Sequence, residues 1–509
     1  MTTQAKGIKP MFRALAGVGL LIVGALCAYF PSRRYEERRV TAAAGSCRVE
    51  MNILQTRDPV AQGNPGAVVL FHGLSANKMI MTYMARSFAE LGLIVYVPDL
   101  PGHGRTPGPF SPQLDEACAL SLLRGLSARG LIVPDRTILA GHSMGGAIAL
   151  LVAPQFRPAG TVAFSPAPMR AAHGVTPEKL LYASLPRILP NTLITAGQFE
   201  PQGLAANAAD LASENPDPSI EYHLLNGESH VSVLFAPSVA RMSQDWAARV
   251  LRIANPGRVP SLLFLLGSLL GFVGILLIAG PFICELAVVV PRVAAGDSRV
   301  PGTLRFLLEV VGVSFAVLFL LRYLVPLRVI GLFEGDYIAS FFLLTGFLML
   351  LLHPKLAQTE FPAKPGVLLS AALAGLILHL LITGWFDITA TGSWLTLQRW
   401  ERFPLFFFAA FVFLYALEIL LGPVVRPGKR LGVALLGVSL AWLTLVFGVF
   451  ILHSGEILVV LLLPYFGMCF LLTCLGARLV RQRTTSATAA AVFGAILLAG
   501  FSLVLFPVS

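Results

Sequence analysis

The chain has 509 residues, of which 56% are hydrophobic and only 13% charged. Soluble domains carry about 25% charged residues, so this composition excludes a wholly soluble protein, and its hydrophobicity excludes a disordered one. The formal charge is +11, but the Lys and Arg flank apolar stretches rather than interleave with aromatics, which favours a lipid bilayer over nucleic acid as partner.

In chain order, residues 1–30 read as a tail and a membrane anchor. The apolar run 14–30 follows Lys6, Lys9 and Arg13 and is closed by Ser32-Arg33-Arg34. A cleaved signal peptide is the alternative, but the small residues Ala42 to Ala44 lie beyond four arginines, which favours an uncleaved anchor. Residues 31–47 read as a linker. From 48 to 254, Gly and Pro punctuate short apolar runs. Strands are predicted at 67–71, 94–97, 137–140, 161–164, 192–195 and 221–225. Helices are predicted at 79–91, 112–129, from Gly145 onward and at 237–253. Such alternation implies an α/β fold, with a mostly parallel sheet covered by helices on both faces. Residues 255–509 read as an all-α membrane domain of about eight spans, near 261–283, 304–325, 335–352, 366–385, 404–422, 431–452, 457–477 and 488–507. Each has about the 20 residues a helix needs to cross the hydrocarbon core.

With nine spans, fourteen Lys and Arg fall on one set of alternate loops and four on the other, leaving out the long 31–260 segment. The rich side should be cytoplasmic, which puts the α/β unit on the extracytoplasmic side of a cell membrane. There Cys47 and Cys118 have an oxidising compartment in which to pair, although two separate buried thiols account for them as well. Glu309, His379 and Glu418 fall inside predicted spans, facing either an interior or the interface. Gly267 and Gly271 suggest a close helix contact, and Pro464 a kink.

The chemistry is concentrated in Gly141-His142-Ser143-Met144-Gly145-Gly146, between a predicted strand and a predicted helix. A tight turn there forces the serine into a strained backbone and presents its hydroxyl at the C-terminal edge of the sheet. Serine needs a base, and the base an orienting acid. Two loops at strand ends supply them in the order Ser, acid, His: Gly197-Gln198-Phe199-Glu200 and Asn226-Gly227-Glu228-Ser229-His230. Glu228 is the alternative acid.

Together with Phe71-His72-Gly73-Leu74 and Asp99-Leu100-Pro101-Gly102-His103-Gly104-Arg105, these residues resemble the α/β-hydrolase superfamily, particularly its monoacylglycerol-lipase-like and esterase members. The likeness covers 48 to about 254. It implies Ser143 as nucleophile, His230 as general base and Glu200 as orienting acid, with the backbone N–H groups of Leu74 and Met144 as the oxyanion hole. Most relatives have Asp where this chain has Glu200. His72 and His103 have structural roles in that family. His142 should shape the pocket, and His173, in the segment over the site, should contact substrate. Only residues 165–191 separate two strands where many lipases insert a cap, so a thin cover with one short helix near 177–185 is expected. The implied activity is hydrolysis of carboxylic esters, with lipid esters favoured by the membrane tether. Acyl transfer through the same serine is an alternative. So is a transporter or receptor whose hydrolase-like head only binds ligand. No metal and no cofactor are implied.

Overall fold

The computed structural model describes residues 4–45, 47–57, 66–171, 180–182, 188–254, 257–286, 301–323, 329–356, 363–422, 426–452 and 456–509. They form two compact units. One holds Gly24–Ser268, Phe386–Ser393 and Pro507–Ser509. The other holds Met1–Val23, Leu269–Trp385 and Trp394–Phe506.

The first unit is built on an eight-stranded sheet in the order β1-β2-β4-β3-β5-β6-β7-β8. Its centre is β3 (Ala67–Phe71), β4 (Ile94–Pro98), β5 (Thr137–His142), β6 (Gly160–Phe164), β7 (Thr192–Gly197) and β8 (Ile220–Leu225). These six strands run parallel. The short apolar runs of β3 to β7 are buried on both faces, as a helix-covered parallel sheet demands, while β8 at the sheet edge is only partly buried. Val68, Leu70, Ile138, Ala140, Val162 and Phe164 are all fully buried. Helix α1 (Gln4–Ser32) precedes the sheet in the chain; crossovers supply α2 (Thr82–Ala89), α3 (Pro112–Ala128), α4 (Met144–Phe156) and α5 (Gln202–Ser213), and α6 (Pro237–Leu251) follows β8. Because the strands are parallel, the loops that follow β3, β5, β6, β7 and β8 all emerge on one edge.

Two strands go beyond the sequence reading. Residues 31–47, expected as a linker, contain β1 (Tyr35–Ala44), which forms an antiparallel hairpin with β2 (Cys47–Thr56), in register from Tyr35↔Thr56 to Ala44↔Cys47. The run Tyr-Glu-Glu-Arg-Arg-Val-Thr-Ala-Ala-Ala shows little apolar alternation because β1 is the edge of the sheet and mostly exposed. Charged side chains are how exposed edges avoid pairing with other chains. Cys47 and Cys118 form a disulfide that ties this hairpin to α3.

Among the described residues, nine helices are long and apolar enough to cross a membrane. Their spans are Met11–Ser32, Leu263–Leu286, Thr303–Tyr323, Gly335–Leu352, Pro365–Thr389, Phe403–Leu420, Pro427–Ile451, Leu463–Thr484 and Ala487–Leu505. Within the second unit, Ala487–Leu505 is the most enclosed of these helices. Its small residues, Ala489 to Ala491, Gly494, Ala495 and Ala499, let neighbouring backbones approach closely. The ionisable groups sort by environment. Glu418 is buried and accepts from Arg430 Nη2 at 2.5 Å. Glu309 bonds Arg305 at 2.7 Å, an exposed i,i+4 partner, and His353 at 2.9 Å, so it sits toward a helix-end polar zone. His379 is 1% exposed with its ring against Gly500. Gly267 meets the backbone of Gly24 and Ala28, a close helix contact. Pro464 occupies the first turn of Leu463–Thr484. It starts that helix rather than kinking it, because the missing N–H would be unsatisfied there anyway.

Candidate active site

The turn between β5 and α4 carries Ser143 with φ 53 and ψ −116. A side chain at positive φ costs of order 1–3 kcal/mol and persists only where its surroundings over-determine it. Here they do. Ser143 N–H donates to the Phe164 carbonyl at 2.9 Å, and its carbonyl accepts from Ala147 at 3.0 Å and Ala167 at 2.9 Å. Gly145 is obligatory: a Cβ there would lie 2.3 Å from the Phe71 carbonyl oxygen and 2.6 Å from that of His72. That closeness seats the start of α4 against the end of β3 and aims the helix N-terminus at the turn, where developing negative charge is favoured.

Two further loops reach the same edge. Glu200, three residues beyond β7, has a side chain with no exposed surface. Its Oε2 faces His230 Nδ1 at 3.2 Å. Its Oε1 accepts from Gly197 N–H at 2.6 Å and from the hydroxyl of Ser165. Burial pushes the Glu200 carboxyl up, but the His230 contact and the Ser165 and Gly197 donors outweigh it and hold the group below its usual value. Glu200 is thus an ionised acceptor facing an imidazole. Glu228, the alternative acid, accepts instead from Ser232 Oγ at 2.5 Å, which closes its own turn. Glutamate at position 200 reaches the imidazole despite its extra methylene.

His142, just before Ser143, faces His230 with ring centroids 4.8 Å apart. Its Nε2 lies 2.7 Å from the His230 carbonyl, so that nitrogen carries the proton and donates. Burial and the neighbouring His230 push the His142 pKa down to about 3, so this ring stays neutral. His142 therefore ties the His230 backbone to the turn at Ser143.

The loop after β3 closes the other side. A Cβ on Gly73 would lie 2.9 Å from His142 Nδ1 and 3.3 Å from Ser143 Cβ, which places the start of this loop, and Leu74 after it, beside the serine. Met144 follows Ser143 directly as the first residue of α4. His72 has a structural place: its Nε2 accepts from Leu100 N–H at 3.0 Å, and its Nδ1 sits 2.8 Å from the Gly73 carbonyl. His103 Nδ1 is likewise bound to the Pro101 carbonyl at 2.9 Å. Asp99 accepts from the backbone N–H of Lys78 at 2.7 Å and of Arg105 at 2.9 Å, and pairs with the Lys78 ammonium.

The structure thus brings the loops carrying Leu74, Ser143, Glu200 and His230 to one edge of the sheet, with Glu200 against His230, His142 against His230, Gly73 against Ser143 and Met144 directly after Ser143. His173 and the helix expected near 177–185 fall largely outside the described residues; of that cover, Tyr182 and Ile188 are described and buried. Sequence reading missed Ser165. Its position just past β6 marks it as a rim residue, but only the fold turns its hydroxyl to Glu200. Among the described residues no cluster of three or more His, Cys, Asp or Glu is arranged for a metal ion.

Residues 68–303 match the family model described as the Alpha/beta hydrolase family. Monoglyceride lipase from Homo sapiens is 32% identical over 165 residues, covering 31% of this chain and 54% of the lipase. The protein of the same name from Mus musculus is 30% identical over 165 residues, with the same coverage. The chain spans about half the length of the curated relatives it matches. Among solved structures, a thermophilic esterase from Thermogutta terrifontis is 17% identical, with 42% of this chain and 99% of the esterase covered at a TM-score of 0.33. The parallel sheet, the strand-turn-helix at Ser143 and the match over residues 68–303 lead to one conclusion: the sheet-bearing part of this chain has the α/β-hydrolase fold.

Proposed function

We propose that the domain is a serine hydrolase that cleaves carboxylic esters of lipids through an acyl-enzyme on Ser143. The observation that carries this reading is the buried Glu200–His230 contact on the same sheet edge as a serine held at positive φ. In the proposed reaction, Ser143 Oγ attacks the ester carbonyl carbon and His230 Nε2 takes the hydroxyl proton. Glu200 fixes the Nδ1–H tautomer and stabilises the imidazolium. The oxyanion is received by the N–H groups of Leu74 and Met144, and one such donor is worth about 3 kcal/mol. The C–O bond then breaks, and the alcohol leaves with the proton from His230. Water, deprotonated by the same imidazole, attacks the acyl-enzyme, releases the acid and restores the serine. His173 completes the proposal as a substrate contact, with His142 shaping the pocket from the elbow.

Relatives named monoglyceride lipase support a lipid ester as substrate, as do the nine helices among the described residues that are long and apolar enough for a bilayer, which would raise the local concentration of a membrane-borne ester. We place the domain on the extracytoplasmic side of a cell membrane. The loop charges support this, and so does the Cys47–Cys118 disulfide, a bond that persists in oxidising compartments. A fluorophosphonate probe should label the wild-type protein and not Ser143→Ala. Unchanged ester hydrolysis by Ser143→Ala would reject the reading.

A further inference from the structure

The hydrolase unit contains a piece that the sequence supplies from far away. The strap Phe386–Ser393, which follows most of the apolar helix Pro365–Thr389, belongs to the same compact unit as the sheet. It is tied to two loops of that unit, the one after β3 and the 99–105 loop. The first tie is a reciprocal pair: Asn77 Nδ2 donates to the Gly392 carbonyl at 3.0 Å, and Gly392 N–H donates to Asn77 Oδ1 at 3.2 Å. The contact is close enough that a Cβ on Gly392 would lie 2.8 Å from Asn77 Oδ1. The second is an ion pair between Arg105 Nη2 and Asp387 Oδ2 at 2.6 Å.

Both grips lead toward Ser143. Asn77 Oδ1 also caps the short helix Lys78–Met81, accepting from Met79 N–H at 2.9 Å. Lys78 and Arg105 are joined through Asp99, and Leu100 is joined to His72. Ala76 N–H closes the turn onto the Gly73 carbonyl at 3.3 Å. The segment His72–Lys78 is therefore held between the 99–105 loop and the strap, with Gly73 and Leu74 in the middle.

We propose that the strap is a positioning element for the oxyanion loop, acting through Asn77 and Arg105, so that the Leu74 N–H stands where the oxyanion forms only while the strap is engaged. This rests on the serine-hydrolase reading. An oxyanion donor acts on the transition state and not on bound substrate, so its displacement lowers kcat and spares KM. A structural loss would instead lower the amount of active protein.

The test uses the full chain in detergent micelles or lipid nanodiscs with a short-chain acyl ester. Gly392→Ala pushes the Asn77 amide away. Asn77→Asp keeps the acceptor that caps Met79 but sets an oxygen against the Gly392 carbonyl. Each is expected to lower kcat about tenfold with KM within about twofold, smaller than the full loss of an oxyanion donor. The stoichiometry of fluorophosphonate labelling should stay at the wild-type value, and the double variant should be less than additive. Unchanged kcat in both single variants overturns the proposal, as does a rise in KM at constant kcat. If Gly392→Ala does not fold, Asn77→Asp decides alone. Ser143→Ala run alongside separates the two levels: hydrolysis surviving in it refutes the serine reading itself, whereas its loss with strap variants at full kcat refutes only the strap.

Discussion

On the serine-hydrolase reading, Ser165→Ala is the sharpest probe of Glu200 as the orienting acid. The Glu200 carboxylate is enclosed and receives three donors, His230 Nδ1, Gly197 N–H and the Ser165 hydroxyl. Removing one hydrogen bond to a buried charged group costs roughly 1.5–3 kcal/mol. Part of that loss relaxes into movement of the Glu200 side chain, and only the remainder weakens support for the imidazolium in the transition state. A remainder of about 1.4 kcal/mol is a tenfold fall in kcat. The same loss leaves burial less opposed, so the Glu200 pKa, now held below its usual value, moves up. Protonation then reaches the carboxylate at a higher pH, and the acid limb of kcat/KM shifts upward in the variant. Ser165→Thr, which keeps the hydroxyl, should recover most of the rate. The assay is steady-state hydrolysis of a chromogenic short-chain ester from acid to neutral pH. Full kcat with an unmoved acid limb in Ser165→Ala would show that this hydroxyl does not position the acid.

Two predictions concern stability. Asp115 is fully buried, and burial alone raises its pKa to about 8. The folded protein therefore keeps this proton while the unfolded chain loses it above about pH 4, so stability falls from there up to about pH 8. Asp115→Asn should be the more thermostable protein at neutral pH, by an advantage that shrinks toward about pH 4; melting curves that stay parallel across that range would contradict the argument. The Cys47–Cys118 disulfide closes a loop of 71 residues in sequence separation. The chain-entropy relation assigns such a loop about 4 kcal/mol. The paired Cys47→Ala and Cys118→Ala variant should melt well below wild type, and alkylation of the wild-type thiols at these positions should require prior reduction.

Much of this site was legible in the sequence because a parallel sheet turns strand ends into a map. Gly141 to Gly146 follows one strand, Glu200 another and His230 a third, so reading where each apolar run stops already put all three on one edge. The long apolar helices were equally plain, since each unbroken apolar run has about the 20 residues needed to cross a bilayer. Residues whose role depends on contacts far along the chain were not legible. β1 carries Glu36, Glu37, Arg38 and Arg39, and its pairing with β2 overrides a poor local strand signal. Ser165 looks like any small polar residue after a strand. Asn77 and Gly392 lie 315 residues apart, and no local pattern joins them.

The backbone of Ser143 carries a wider implication. At φ 53 and ψ −116 this is a position where glycine is at home and any side chain is a burden. Were the hydroxyl idle, Ser143→Gly would yield a calmer, more robust fold at no loss. It should yield a protein that melts higher and does nothing. On the serine-hydrolase reading, durability and reactivity are set against each other at this one residue.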